Sequence, residues 1–235
     1  MSNKSPLIYE YHFFFYKNKE VVFELNLDPV TFKYISPAHQ EQPKWARLDD
    51  SACDQCICQQ EGLDFCPVAV NIAGIIKVFG DMISYDVVDI TIKSKERLYV
   101  KKQISIQHAL SSMLGIIMVT SGCKDLDMLK PMVKFHLPFA SIEETIYRAT
   151  SMYLLAQYFR YKRGLVPDWD MDGLISVYRR IDTINMSLCN RLRRASNEDA
   201  NLNAVVVLDT FAQVMPISVE EGLAEFEDLF IHYLL

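Results

Sequence analysis

The chain has 235 residues, of which 50% are hydrophobic and 23% charged, with only 8 Gly and 9 Pro. So much apolar side chain excludes a disordered, collagen-like or low-complexity polypeptide, which could not offset the entropy of ordering. With 24 basic residues against 30 acidic ones the formal charge is -6; phosphate binding needs clustered positive charge, so no nucleic-acid partner is expected.

The N-terminal run MSNKSPLIYEYHFFFYKNKE is interrupted by Lys4, Glu10, His12 and Lys17. A signal peptide needs an unbroken apolar core and a small-residue cleavage site, and neither is present. The longest apolar stretch beyond it, residues 113–119, is too short to span a bilayer. The expectation is a cytoplasmic protein without a membrane partner, its oligomeric state open. The 6 cysteines are then not expected to form structural disulfides, because the cytosol keeps thiols reduced.

Residues 7–16 and 20–27 are rich in aromatic and β-branched side chains, with Lys17-Asn18-Lys19 as a turn between them. Val21, Phe23, Leu25 and Leu27 alternate with more polar neighbours, the period of a strand. This is a hairpin, closed by Asp28-Pro29. Residues 29–65 have no sustained period, and so long a connection needs something to hold it. Residues 67–82 read as a helix with Pro67 in its first turn. Val68, Val70, Ile72, Ile75, Ile76, Val78 and Phe79 nearly surround its axis, so it reads as a buried helix. Residues 87–93 and 96–104 form a second hairpin, with Val88, Ile90 and Ile92 on one face.

From Ser105 onward the pattern is helical. Residues 106–121 form a helix with Gly122 as its C-terminal stop, and a short helix follows at 125–134. Ser141 and Glu144 make a capping box that opens a helix running to about Arg163, before Gly164. Further helices are expected at 170–195, 198–214 and 219–233. The fold class is α+β: a small antiparallel sheet of two hairpins with a packed helix, then a mostly α-helical C-terminal half. Residues 1–104 form the mixed part with its cysteine-rich loop and 105–235 the helical part. The two are expected to share one core as a single domain.

Cys53, Cys56, Cys58 and Cys66 are spaced C-x2-C-x-C-x7-C. A CxxC pair can turn two thiolates toward one ion, and a structural zinc can order a loop that lacks secondary structure. Cys66 sits at a helix entry, where peptide dipoles favour a thiolate. An iron–sulfur site and unmetallated redox thiols are the alternatives. Cys58 is very close to Cys56 for a shared ion, so the fourth ligand is Cys58, Cys123 or His136. Cys189 reads as a small buried side chain on a helix.

In the helical half Glu144 and Arg148 are four apart and can pair. The alternative is a polar pocket between helices, with Arg148 facing an anionic group. His136, in an apolar loop, is either a hydrogen-bonded core residue or a ligand or proton-transfer group beside Cys123. Arg191, Arg193 and Arg194 form a basic cluster ahead of Asp199, Asn203 and Asp209. These polar groups serve either as helix ends, with Ser196 capping the next helix, or as a hydrogen-bonding face for a ligand. There is no P-loop, GxGxxG, GxSxG, HExxH or kinase signature.

The strings CPVAVNI, TSGCKDLDMLKPMVKFHLPFA, EETIYRATSMYLLAQYF and DANLNAVVVLD resemble a family of uncharacterised bacterial proteins, a domain of unknown function, over nearly the whole chain. The resemblance carries no activity. It implies that Cys53, Cys56 and Cys66 match family cysteines, that Cys58 departs from the pattern, and that Cys123 lies in a family motif and is the better fourth metal ligand. Two functions follow as expectations. One is a non-enzymatic binding or regulatory module stapled by zinc through Cys53, Cys56, Cys66 and Cys123. The other is an enzyme or small-ligand sensor with a pocket built from Cys123, His136, Glu144 and Arg148.

Overall fold

The computed structural model describes residues 5–16, 19–36, 42–48, 52–195 and 197–235. Strands β1 (Leu7–Phe15) and β2 (Lys19–Leu27) pair antiparallel with Leu7 opposite Leu27. Lys17 and Asn18 of the expected turn lie outside the described residues. Alternation sends Tyr9, Tyr11, Phe13, Leu25 and Leu27 into the core and leaves Ile8 and Phe14 outside. A 3-10 turn at Lys44–Ala46, helix α1 (Ile57–Gln60) and helix α2 (Pro67–Phe79) follow. Strands β3 (Val87–Lys93) and β4 (Leu98–Ser105) complete a four-stranded antiparallel sheet in the order β2-β1-β3-β4.

The helical half contains α3 (Ile106–Thr120), a 3-10 segment Lys124–Leu129 running into α4 (Lys130–Lys134), and α5 (Ile142–Lys162). Then come α6 (Asp172–Ala195), α7 (Ala200–Glu220), a 3-10 segment Ala224–Phe230 and α8 (Ile231–Leu234). The architecture is α+β. Buried side chains from the sheet and the helices join in one apolar cluster.

One helix start is set by local capping and one helix end by a distant contact. Ser141 and Glu144 form the capping box: Glu144 N donates to Ser141 Oγ at 3.0 Å, and Ser141 N donates to Glu144 Oε2 at 2.8 Å. Helix α2 stops at Phe79, short of the expected residue 82. Asn197 N and Glu198 N donate to the Gly80 carbonyl at that end. Phe79 packs on Phe13 and Phe23, with ring centroids 5.1 and 5.7 Å apart, and so anchors α2 to the sheet.

Two expectations at the C-terminus are corrected. Helix α7 does not stop at Val214 but continues through Pro216 to Glu220. A proline withdraws its own amide from the helical ladder, while burial of Met215 and Val219 on either side holds the turn together. The expected helix at 219–233 is broken by Gly222 at φ +73° and Leu223 at φ 53°, a left-handed pair that a helix cannot contain. By length and composition α7 is apolar enough to cross a bilayer; here it lies against α3 and α6.

The irregular segment before α2 is held by hydrogen bonds to its backbone. Arg191, only 1% exposed on α6, donates from Nη1 to Trp45 O at 3.0 Å and to Arg47 O at 2.6 Å. About three turns earlier on the same face, Arg180 donates to the carbonyls of Asp54 and Gln55 and to Asp125 Oδ2. Gln59 Nε2 donates to Leu48 O, and Cys66 N to Ala46 O. Replacing Arg191 by Met strands two carbonyls inside the protein. R191M is expected to lower the unfolding free energy by about 2–4 kcal/mol, read from the urea midpoint. R193M, on the exposed side of α6, is expected to stay within about 0.5 kcal/mol.

Candidate functional site

The structure divides the cysteines into two groups. Cys53 is near Cys56, Cys66, Arg180 and Arg191 and hydrogen-bonds Ser187; burial raises its thiol. Cys66, at the entry to α2, receives backbone N–H groups of Ala69 and Val68, yet burial outweighs them and pushes the thiol up to about 11. Cys58 and Cys123 hydrogen-bond each other instead, joining α1 to the start of the Lys124–Leu129 segment. The Cys123 hydrogen bond, with help from the Lys124 amide, brings Cys58 down to about 7, and the same contact raises Cys123. Among the described residues no three His, Cys, Asp or Glu side chains converge as a metal site. Cys123, the expected fourth ligand, is partnered with Cys58 instead.

The helical half holds a second constellation. Helices α3 to α7 surround a cavity of about 390 Å³. Its walls are mainly apolar, including Ile116 and Val119 from α3, Ile181 from α6, and Leu208 and Phe211 from α7. Ser112, His136, Arg148, Tyr178 and Asn185 supply polar groups at its edges, and Lys101 and His108 also border it. No Asp or Glu does.

Of the expected pocket residues, His136 and Arg148 are brought to this cavity and two others are not. Glu144 is exposed, its carboxylate turned back onto the amide of Ser141. It does not pair with Arg148, whose Nη2 donates to Met132 O at 3.3 Å and to Phe135 O at 2.9 Å. Cys123 bonds Cys58, so the Cys123–His136 nucleophile and base arrangement is not formed. His136 Nε2 lies 2.9 Å from Tyr11 Oη and 3.4 Å from Ser112 Oγ, with Tyr9 edge-on at 5.5 Å. With the ring proton on Nε2, a chain runs from His136 to Tyr11 and on to the Ser112 carbonyl, 3.3 Å away.

Electrostatics follow from this burial. Desolvation, reinforced by the Arg148 charge, pushes His136 down to about 3, so the ring is neutral at physiological pH. Desolvation also lowers Arg148 from its ordinary value. Burial raises Tyr178, leaving its phenol a neutral donor beside that cation. Asn185 is fully buried: its Nδ2 donates to Asp209 Oδ1 at 3.1 Å, and its Oδ1 has no partner among the described residues.

Tyr178 and Asn185 escape a reading by motif. The available signal is their place in the apolar stripe of α6, where Tyr178, Ile181 and Asn185 fall on one face. The basic cluster resolves into internal ties: Arg191 holds the loop, while Arg193 and Arg194 bond Asn190. Asp199 accepts from Ser84 N at 2.7 Å, from Ser84 Oγ and from Asn203. Ser196, the expected cap, lies outside the described residues.

The profile of the family described as Domain of unknown function (DUF6901) matches residues 8–231. The chain belongs to this family. The match spans the sheet, the cysteine segment and all the helices around the cavity, so both constellations lie within the family's domain. No curated protein and no solved structure matches significantly.

The depressed His136 has a linkage consequence. Below about pH 6.5 the unfolded chain takes up a proton that folded His136 refuses down to about 3. The stability contributed by the neutral ring is therefore present above pH 6.5 and falls as the pH drops through that window. Denaturant unfolding of wild type and His136→Gln between pH 4 and 8 is expected to show a shallower pH slope in the variant.

Proposed function

We propose that this chain is a small-ligand-binding module, and that its ligand has an apolar body and an anionic head. The observation that carries the reading is the cavity of about 390 Å³ with a desolvated guanidinium on its edge and no carboxylate on its lining. That volume lies in the range of small-molecule sites, which combine apolar walls with a few polar anchors. A guanidinium drawn away from water is best satisfied by an anionic acceptor. Arg148 has Nε and Nη1 beyond the Nη2 that binds Met132 and Phe135. The neutral phenol of Tyr178 adds a donor without adding charge, and Ile116, Leu208 and Phe211 suit an aliphatic or aromatic body.

Calorimetric titration with decanoate and decan-1-ol tests the reading. Decanoate is expected to bind about 10-fold tighter or more, the effect of one charge-assisted contact. In Arg148→Gln the two probes become nearly equal. Gly115→Leu grows a side chain toward Leu208, whose Cδ2 would lie 3.6 Å from the new Cβ, and is expected to abolish binding of both. Absence of saturable binding by the acid, or equal affinity for acid and alcohol in wild type, would end the proposal.

A zinc staple is a second, separate reading of the cysteines. It is supported by the CxxC spacing and by the proximity of Cys53 to Cys56 and Cys66. Binding would have to draw these three thiols together from their present separation and add a fourth donor. Elemental analysis of purified protein decides it. One zinc per chain, lost in Cys53→Ser, is the expected result, and stable metal-free protein removes the idea.

A further inference from the structure

Helix α5 has two apolar faces. One packs inward through Ile146, Ala149, Tyr153 and the buried amide of Gln157. The other faces solvent, with Leu155 55%, Tyr158 47% and Phe159 53% exposed, and Tyr147 on the same side. Tyr147, Ser151, Leu155, Tyr158 and Lys162 follow one another at three- and four-residue steps, the spacing by which one helix packs on another. At the N-terminal end of the stripe, Phe230 stacks on Tyr147 at 6.4 Å, and Ile231 and Leu234 are exposed beside it. Beyond its C-terminal end Leu165, Val166 and Trp169 are exposed as well. So extended an apolar surface marks an interaction site.

Charge identifies the partner. The start of the stripe is acidic, with exposed Glu143 and Glu144, and Glu225, Glu227 and Asp228 precede the neighbouring α8. Its end is basic through exposed Lys162, followed by exposed Arg163. Acid at one end, base at the other and apolar groups between make a face complementary to itself when reversed. We infer that α5 is a homodimer interface, in which two copies pack their outer α5 faces antiparallel about a two-fold axis through the middle of the helix.

In the register that aligns the charges, Glu144 faces Lys162, Tyr147 faces Phe159, and the small Ser151 receives Leu155. Each contact occurs twice, as an isologous interface requires. A parallel pairing would set acid against acid and base against base. An anionic bilayer would meet the same glutamates and be repelled at that end.

Sedimentation equilibrium of the full chain from about 1 to 100 μM tests the inference, at concentrations where a specific interface of moderate affinity is populated. Wild type is expected to be dimeric. Leu155→Glu, at an exposed position, is expected to weaken the dimer at least 10-fold while leaving the far-ultraviolet circular dichroism unchanged. Lys162→Glu should weaken it less, and added salt should weaken wild type but not Lys162→Glu to the same degree. A monomeric wild type overturns the inference, and so does a dimer indifferent to both substitutions. Monomer that co-sediments with vesicles containing phosphatidylserine, and loses this in Leu155→Glu, assigns the face to a membrane and overturns it too.

Discussion

The structure depends on guanidinium groups that satisfy the backbone of a segment with little ladder of its own. Between β2 and α2 the described residues form short 3-10 and α turns rather than a regular ladder. A buried carbonyl without a donor costs about 1–3 kcal/mol. Arg180 and Arg191 answer this from one face of α6, and in doing so they lock that helix to the loop, to α2 and through α2 to the sheet. Tyr178, Ile181 and Asn185 lie about 120° around the same helix, by the 100° step of the α-helix. One side of α6 clamps the loop and an adjacent one walls the cavity, so the helix that holds the loop also positions the candidate site.

The cavity exists because the residues at the helix crossings are small. Ser111, Ser112 and Gly115 on α3 and Ala212 on α7 leave space that larger side chains would close. Protein interiors are normally packed to crystal-like density, and an unfilled hollow lowers stability. Its polar edge is assembled from distant parts of the chain: Ser112 in α3, His136 after α4, Arg148 in α5 and Tyr178 in α6. The neutral His136 ties the sheet to this edge through Tyr11, while Arg148 stands beside a lining that contains no Asp or Glu. The cysteines show the same division of labour. Cys53, Cys56 and Cys66 stay with the loop and the α6 arginines, and Cys58 reaches across to Cys123 at the start of the 3-10 segment.

Much of the fold is legible along the chain because its signals are local. Period-two alternation in β2 and β3, the capping box at Ser141 and the proline at the start of α2 each act within a few residues, and all appear where the pattern places them. The misreadings occur where a distant contact overrides the local pattern. Helix α2 ends early where its terminal carbonyl is used by the α6–α7 connection, and α7 runs through Pro216 because burial on both sides sustains it. Of the candidate site, His136 and Arg148 were readable as polar groups in apolar surroundings, and the separation of Glu144 and Cys123 from them was not.

The amino-acid sequence by itself determined the α+β class, most element positions, the family, and the supply of thiols and guanidiniums. Each of these rests on side-chain periodicity, capping chemistry or motif strings that act over short distances. Only the tertiary structure decided which polar groups meet: Cys58 with Cys123, Arg191 with the loop carbonyls, His136 with Tyr11, and Arg148 with the edge of a hollow. Those pairings join residues many positions apart, and they follow from how the helices pack, for which spacing along the chain carries no direct measure.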